Sequence, residues 1–309
     1  MDQISRRRFL QTTSASIAGV SIAGAALWSA APDLMANPLG LPIGLQLYSV
    51  RDVLPKHYEG TLKQLGALGY QEVEAAGFFG RSAADVKQAM AQANLTCVSS
   101  HHSMPDLLPR TDAIIEYGNN LGLKYIICSS PALQDPSHAK PHNPHNNMEA
   151  MTLDDWKWNI EQFNRIGEKV NAAGMRFGYH NHTAEFRPQN GVLPYDEILR
   201  LTDPAKVTLE MDCGWVVVGG KDPAEYLTRY PTRISMLHVK DFKLTGKPAS
   251  ESAPPPSAEL GRGSIDYRRI FEAAKNGHIE HAFIEQEYFD IPEMEALKID
   301  ADYMRALTV

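Results

Sequence analysis

The chain has 309 residues, 43% of them hydrophobic, which is enough for one large α/β barrel or two smaller domains. A formal net charge of -7 removes the electrostatic reason to expect nucleic acid, whose phosphates attract basic proteins. Cys97, Cys128 and Cys213 show no paired spacing. They imply no disulfide framework or zinc ribbon and read as small core residues.

In chain order, Ser5-Arg6-Arg7-Arg8-Phe9-Leu10 precedes a mild apolar run, Ile17 to Leu27, rich in Ala, Gly and Ser. Positive, then apolar, then small residues make an export signal. Paired arginines before Phe-Leu point to the twin-arginine route to the periplasm. The run is too short and too rich in small residues for a membrane span, so no stable insertion is expected after its removal. Residues 1–36 therefore read as signal and 37–309 as mature protein.

From Leu41 apolar runs alternate with helix-like stretches. Strands are expected at Ile43–Tyr48, Gly69–Glu74, Leu95–Ser99 and Lys124–Cys128, then Arg176–His180, Val207–Asp212, Ile234–Val239 and Ala282–Gln286. Helices are expected at Tyr58–Leu68, Ser82–Gln92, Asp112–Leu121 and Leu153–Ala173, then Tyr195–Leu201, Pro223–Arg229, Tyr267–Lys275 and Glu293–Leu307. Ser130 to Met151 reads as a solvated loop and candidate lid, with His138, His142 and His145 on no regular element that would hold a metal. Lys247 to Pro256, rich in Pro, Ser and Ala, reads as an exposed excursion. Strict alternation argues for a parallel sheet, and eight units in this length fit a single-domain closed (β/α)8 TIM barrel.

The last four strands end alike. They carry His180 and His182, Glu210 and Asp212, His238 and Lys240, and Glu285 and Glu287. Residues two apart in a strand share a face, so each pair projects together. Carboxylates converging on one barrel mouth repel one another, and a divalent cation relieves this, with help from Lys240. Mixed imidazole and carboxylate ligands suit Mn, Zn, Fe or Co better than Ca, and the expected cofactor is one divalent ion of Mn, Zn, Co, Fe or Mg. The pairing leaves open whether His180 or His182 is the ligand. Glu74, His101, His182, Lys240 and Glu287 are available as acid–base groups, which favours an enzyme over an exported sugar-binding protein with a structural metal.

Six stretches carry a resemblance when taken in order: Gly69-Tyr-Gln-Glu-Val-Glu74, Tyr179-His-Asn-His182, Leu209-Glu-Met-Asp212, Leu237-His-Val-Lys-Asp241, Leu260-Gly-Arg-Gly-Ser-Ile-Asp266 and Phe283-Ile-Glu-Gln286. With them, residues 37–309 resemble the xylose isomerase-like TIM barrel family, often called sugar phosphate isomerases/epimerases. The resemblance implies a divalent metal on His180, Asp212, His238 and Glu285. Family members usually carry glutamate where His180 stands, and a histidine there is more similar to keto-inositol dehydratases. The barrel's DNA-repair branch needs a histidine just after the sixth-strand aspartate, where this chain has Trp215. The expected activity is removal of a proton beside a carbonyl of a sugar or keto-sugar, giving isomerisation or epimerisation. The alternative is elimination from a 3-keto-glycoside or keto-inositol. Glu285, His182, Lys240 and Glu74 are the expected catalytic groups, and His101, Trp215 and Gln46 the expected substrate contacts.

Overall fold

The computed structural model describes residues 36–138 and 144–309. The expected export signal, apart from its last residue, lies outside the described residues, as do residues 139–143 of the histidine-rich loop, including His142.

Eight strands close a barrel: β1 Gly44–Gln46, β2 Glu72–Ala75, β3 Thr96–Ser103, β4 Tyr125–Ser130, β5 Arg176–His180, β6 Val207–Asp212, β7 Ile234–Val239 and β8 His281–Ile284. Every barrel pairing is parallel, and β1 closes on β8 through Gly44↔Phe283 and Leu45↔Ile284. Parallel neighbours need crossovers, and helices supply them on the outside. These are α1 Tyr58–Ala67, α2 Ala83–Gln92, α3 Met104–Leu121, α4 Pro144–Ala150, α5 Leu153–Ala172, α6 Pro194–Leu201, α7 Cys213–Val218, α8 Pro223–Arg229, α9 Tyr267–Ala274 and α10 Glu293–Ala306. No helix among the described residues is long and apolar enough to cross a membrane.

Local chemistry sets the helix starts. Ser82 caps α2 by accepting from the Asp85 amide, and Thr152 with Asp155 forms a capping box on α5. Helix α3 begins at Met104, earlier than the expected Asp112, because Ser103 caps it and Pro105 suits the first turn. Pro109 lies inside the helix, which runs through it. Helix α4, with Met148 within it and Met151 just after it buried, replaces part of the expected loop.

Val98, Tyr125, Ile127, Met236 and Phe283 fill the lower barrel as a separate apolar cluster. Above them the strand ends turn polar. Asp241–Phe242 pairs antiparallel with Ser257–Ala258, so the excursion between them folds back over the barrel. It is only partly exposed, because Ser250 is buried and the Glu251 side chain is 4% exposed.

Candidate metal centre

Strand parity delivers the cluster. One ligand atom from each of His180, Asp212, His238 and Glu285 lies within 4.8 Å of the others, close to what ligand bonds of about 2.0–2.2 Å can span. All four are buried. His238 Nδ1 is 3.0 Å from Glu285 Oε2, and Asp212 Oδ2 is 4.0 Å from both His180 Nε2 and His238 Nδ1. Asp212 uses Oδ1 to accept from the Trp215 amide at 2.8 Å, capping α7, which turns Oδ2 to the histidines. Asn181 holds the same strand end, donating to the Asp212 carbonyl and accepting from its amide.

Strands β1 to β3, with Glu210 of β6, build a support behind the candidate ligands. His180 Nδ1 is 3.0 Å from Glu210 Oε2, and His238 Nε2 is 2.8 Å from Glu74 Oε1. His101 Nε2 lies 2.7 Å from both Glu74 and Glu210, joining the two carboxylates. Gln46 Nε2 donates to Glu74 at 2.8 Å, and Ser99 Oγ donates to it as well. Each ligand histidine thus has a carboxylate on its far nitrogen, the arrangement that sets tautomer and ring orientation in metal sites.

The electrostatics fit a divalent ion. Burial leads His180 to a value well below the ordinary one, with His238 adding to the effect, so it is a neutral imidazole able to ligate. Burial would lower His238 too, but Glu210, Glu285 and Glu74 hold it well above its ordinary value. Burial raises Asp212 to about 6 although Lys240 pulls the other way. The Asp212 Oδ2 atom is buried and accepts no hydrogen bond among the described residues, and Glu210 Oε1 is alike. Lys240 Nζ stands 3.2 Å from Asp212 Oδ2, within ion-pair range but outside hydrogen-bond geometry. An orphaned Asp212 oxygen beside a neutral imidazole fits the mixed donor set a divalent metal takes.

The structure sorts the remaining expected residues. Glu285, His182 and His101 line a cavity of about 790 Å³ at the barrel mouth, together with Glu287. Glu74 is fully buried and surrounded by Gln46, Ser99, His101 and His238, so it supports the site instead of reaching a substrate. Lys240 is 1% exposed and salt-bridged to Asp212, Glu285 and Glu287, which hold its ammonium well above the usual range against burial. It balances charge from behind. Gln46, expected at the substrate, is fully buried under Glu74. Trp215, also expected there, is 1% exposed; its ring carries the Lys240 ammonium at 4.7 Å and packs on Phe242. His138 is exposed, paired only weakly with Asp135 at 3.8 Å.

Two further residues have no role assigned from sequence. Glu251 Oε1 sits 3.3 Å from His182 Nε2, carried there by the excursion after β7. Nothing in that Pro- and Ser-rich stretch marks it. Asp241 accepts from the amides of Gly261, Gly263, Ser264 and Ile265, so the Leu260–Asp266 motif is a cradle for the residue that follows Lys240. Tyr267 completes it, accepting from the Lys240 amide and donating to its carbonyl, both at 2.6 Å.

Comparison with known proteins agrees with this frame. The chain is 26% identical over 210 residues to an inosose dehydratase of Geobacillus kaustophilus, covering 63% of this chain and 67% of that one. It is 30% identical over 145 residues to an inosose dehydratase of Lacticaseibacillus casei, covering 43% and 45%. A solved sugar phosphate isomerase/epimerase from Parabacteroides distasonis superposes with a TM-score of 0.67 at 28% identity, covering 84% of this chain and 96% of that one. Residues 62–307 match the model of one family. With its closed parallel barrel and its candidate ligands at the ends of β5 to β8, the chain belongs to the xylose isomerase-like TIM barrel family.

Proposed function

We propose that the protein is a metal-dependent dehydratase or lyase that eliminates a β-leaving group from a keto-sugar or keto-inositol. The observation that carries this reading is His180. Its Nδ1 is tied to Glu210 at 3.0 Å, it is 2% exposed, and burial holds it neutral. A ketose epimerase needs acid–base groups on both faces of the substrate, and a locked imidazole in the ligand set does not supply one. Elimination needs one base beside the α-carbon and a route out for the leaving group. The relatives named inosose dehydratase support this alternative over the isomerase or epimerase reading.

His180, Asp212, His238 and Glu285 would hold the ion. When bound, a divalent metal supplies Lewis acidity toward a carbonyl and its neighbouring hydroxyl. The remaining work falls to side chains of the cavity. Glu285, Glu287 and His182 line it. Burial pushes the Glu285 carboxyl up, but Lys240 and His238 hold it well below its ordinary value, so it is ionised. The proton beside the carbonyl passes to a base among these groups, and its bonding electrons form the enolate. The enolate electrons then form the double bond as the β-oxygen departs. That oxygen takes up a proton and leaves as water or as an alcohol, so no oxidant is needed.

Metal-loaded protein incubated in D₂O with a keto-inositol and with 3-keto-glucosides tests the reaction by NMR. The expected outcome is an unsaturated ketone with loss of water or alcohol and no accumulating epimer. Rapid, reversible epimerisation of a free ketohexose without turnover of these substrates would restore the isomerase reading.

A further inference from the structure

The cavity is far larger than the metal cluster requires. At about 30 Å³ per water, 790 Å³ holds on the order of 25 waters, more than one sugar ring of about a dozen non-hydrogen atoms displaces. His101, His180, His182, Glu285 and Glu287 form its inner end. The outer end has a different character. The loop after β2 contributes Phe78, Phe79 and Arg81, and α3 turns Arg110, Ile114 and Tyr117 toward it at helical spacing.

Phe79 is the unusual residue there. Its backbone lies in the left-handed region at φ 53°, which is strained for a bulky side chain. The conformation keeps the ring 44% exposed. Phe78 beside it packs on Tyr117 at 4.5 Å, so the support is firm. Tyr48, 38% exposed, also lines the cavity, and the Arg51 guanidinium lies over its ring at 4.4 Å. Arg51 also reaches Tyr288, which is 56% exposed, at 5.8 Å. Among the described residues, the exposed large aromatic side chains are Tyr48, Phe79 and Tyr288. Single exposed apolar residues need no explanation, but two of these three line one cavity and the third shares an arginine with it.

We propose that this outer end is a subsite for a second ring, so that the substrate is a keto-glycoside whose leaving group carries a sugar or aryl ring stacked on Phe79. This rests on the elimination reading above and names its leaving group. The keto ring sits at the inner end, and the departing alcohol occupies the aromatic end. The flat apolar face common to pyranose and phenyl rings is the recognised feature.

Titration calorimetry on the metal-loaded full chain tests the subsite without chemistry. The probes are methyl β-glucoside, phenyl β-glucoside and cellobiose. We expect phenyl glucoside or cellobiose to bind about tenfold more tightly than methyl glucoside. Which of the two gains more identifies the ring as aryl or sugar. In Phe79→Gly, which suits a positive φ, the preference should fall to near one. In Phe79→Asn, whose side chain also tolerates a positive φ, it should fall in the same direction, which covers the case of a poorly folding glycine variant. Equal binding of all three by the unaltered protein, no binding by any, or a preference that survives both substitutions would overturn the subsite. Failure of the elimination reading looks different: no keto-sugar of one or two rings is turned over, while the two-ring preference in binding persists.

Discussion

At the scale of single residues, the site is held together by what stands behind the ligands. Asp212→Ala removes an orphaned buried oxygen and is expected to abolish metal retention through desalting, with the far-ultraviolet circular dichroism unchanged. Glu210→Gln keeps the shape but weakens the partner of His180 Nδ1, and metal affinity is expected to fall about 10–100-fold. Full metal content in the Asp212 variant would remove the aspartate from the ligand set. The pH dependence follows from His238. Glu210, Glu285 and Glu74 hold its folded-state value well above the ordinary one, so the proton is bound at neutral pH and lost only as pH rises. A metal needs the neutral ring and must displace that proton. Apparent affinity should therefore weaken by about tenfold per unit as pH falls, read by competition with a chromophoric chelator. An affinity flat from pH 6 to pH 8 would mean that His238 releases no proton on binding.

At the scale of elements, the loop before α9 and the strand end of β7 act as one unit. A Cβ on Gly263 would collide with the Asp241 carboxylate, which the cradle amides hold in place, so a side chain there must displace it. Gly263→Ala is expected to cost about 2–4 kcal/mol, seen as a lowered melting temperature, and to loosen Lys240 by disturbing its neighbour. A variant as stable as the parent would show that the loop relaxes around the added methyl. The helix α3 start matters in the same way. Its first turns, which lie before the expected start at Asp112, contribute Arg110 to the cavity.

At the scale of the whole molecule, metal binding and folding are linked, because the ligands come from four strands that meet only in the closed barrel. An ion at about 1,000 times its dissociation constant adds about 4 kcal/mol of stability. For a domain of this size that is on the order of 10 °C in melting temperature. Chelation should lower the transition by that order, and restored metal should raise it again; an unchanged transition would mean the ion is not bound. We also propose that the chain travels by the twin-arginine route. Arg6→Lys with Arg7→Lys should then hold the protein in the cytoplasm on cell fractionation, and undiminished periplasmic delivery would point to another route.

Much of this was legible along the chain, for a local reason. Side chains in a strand alternate, so the spacing of Glu210 with Asp212 and of His238 with Lys240 shows which residues share a face before any fold is known. Alternating strands and helices imply the parallel barrel in the same way, and a barrel brings the ends of β5 to β8 together. What parity does not reveal is who stands across the barrel. The register shift between Val73 and Glu74 pairs these residues with Cys97 and Ser99, and with it Glu74, Ser99 and His101 meet behind the histidines. Glu74 looked like a free base and Gln46 like a substrate contact until closure of the ring buried both. Trp215 is committed to packing by α7, a helix with too few residues to leave a period in the sequence. Glu251 reaches His182 through a loop whose path depends on its pairing of Asp241–Phe242 with Ser257–Ala258. Face and order are short-range properties of the chain, whereas register, closure and loop path depend on contacts between residues far apart in it.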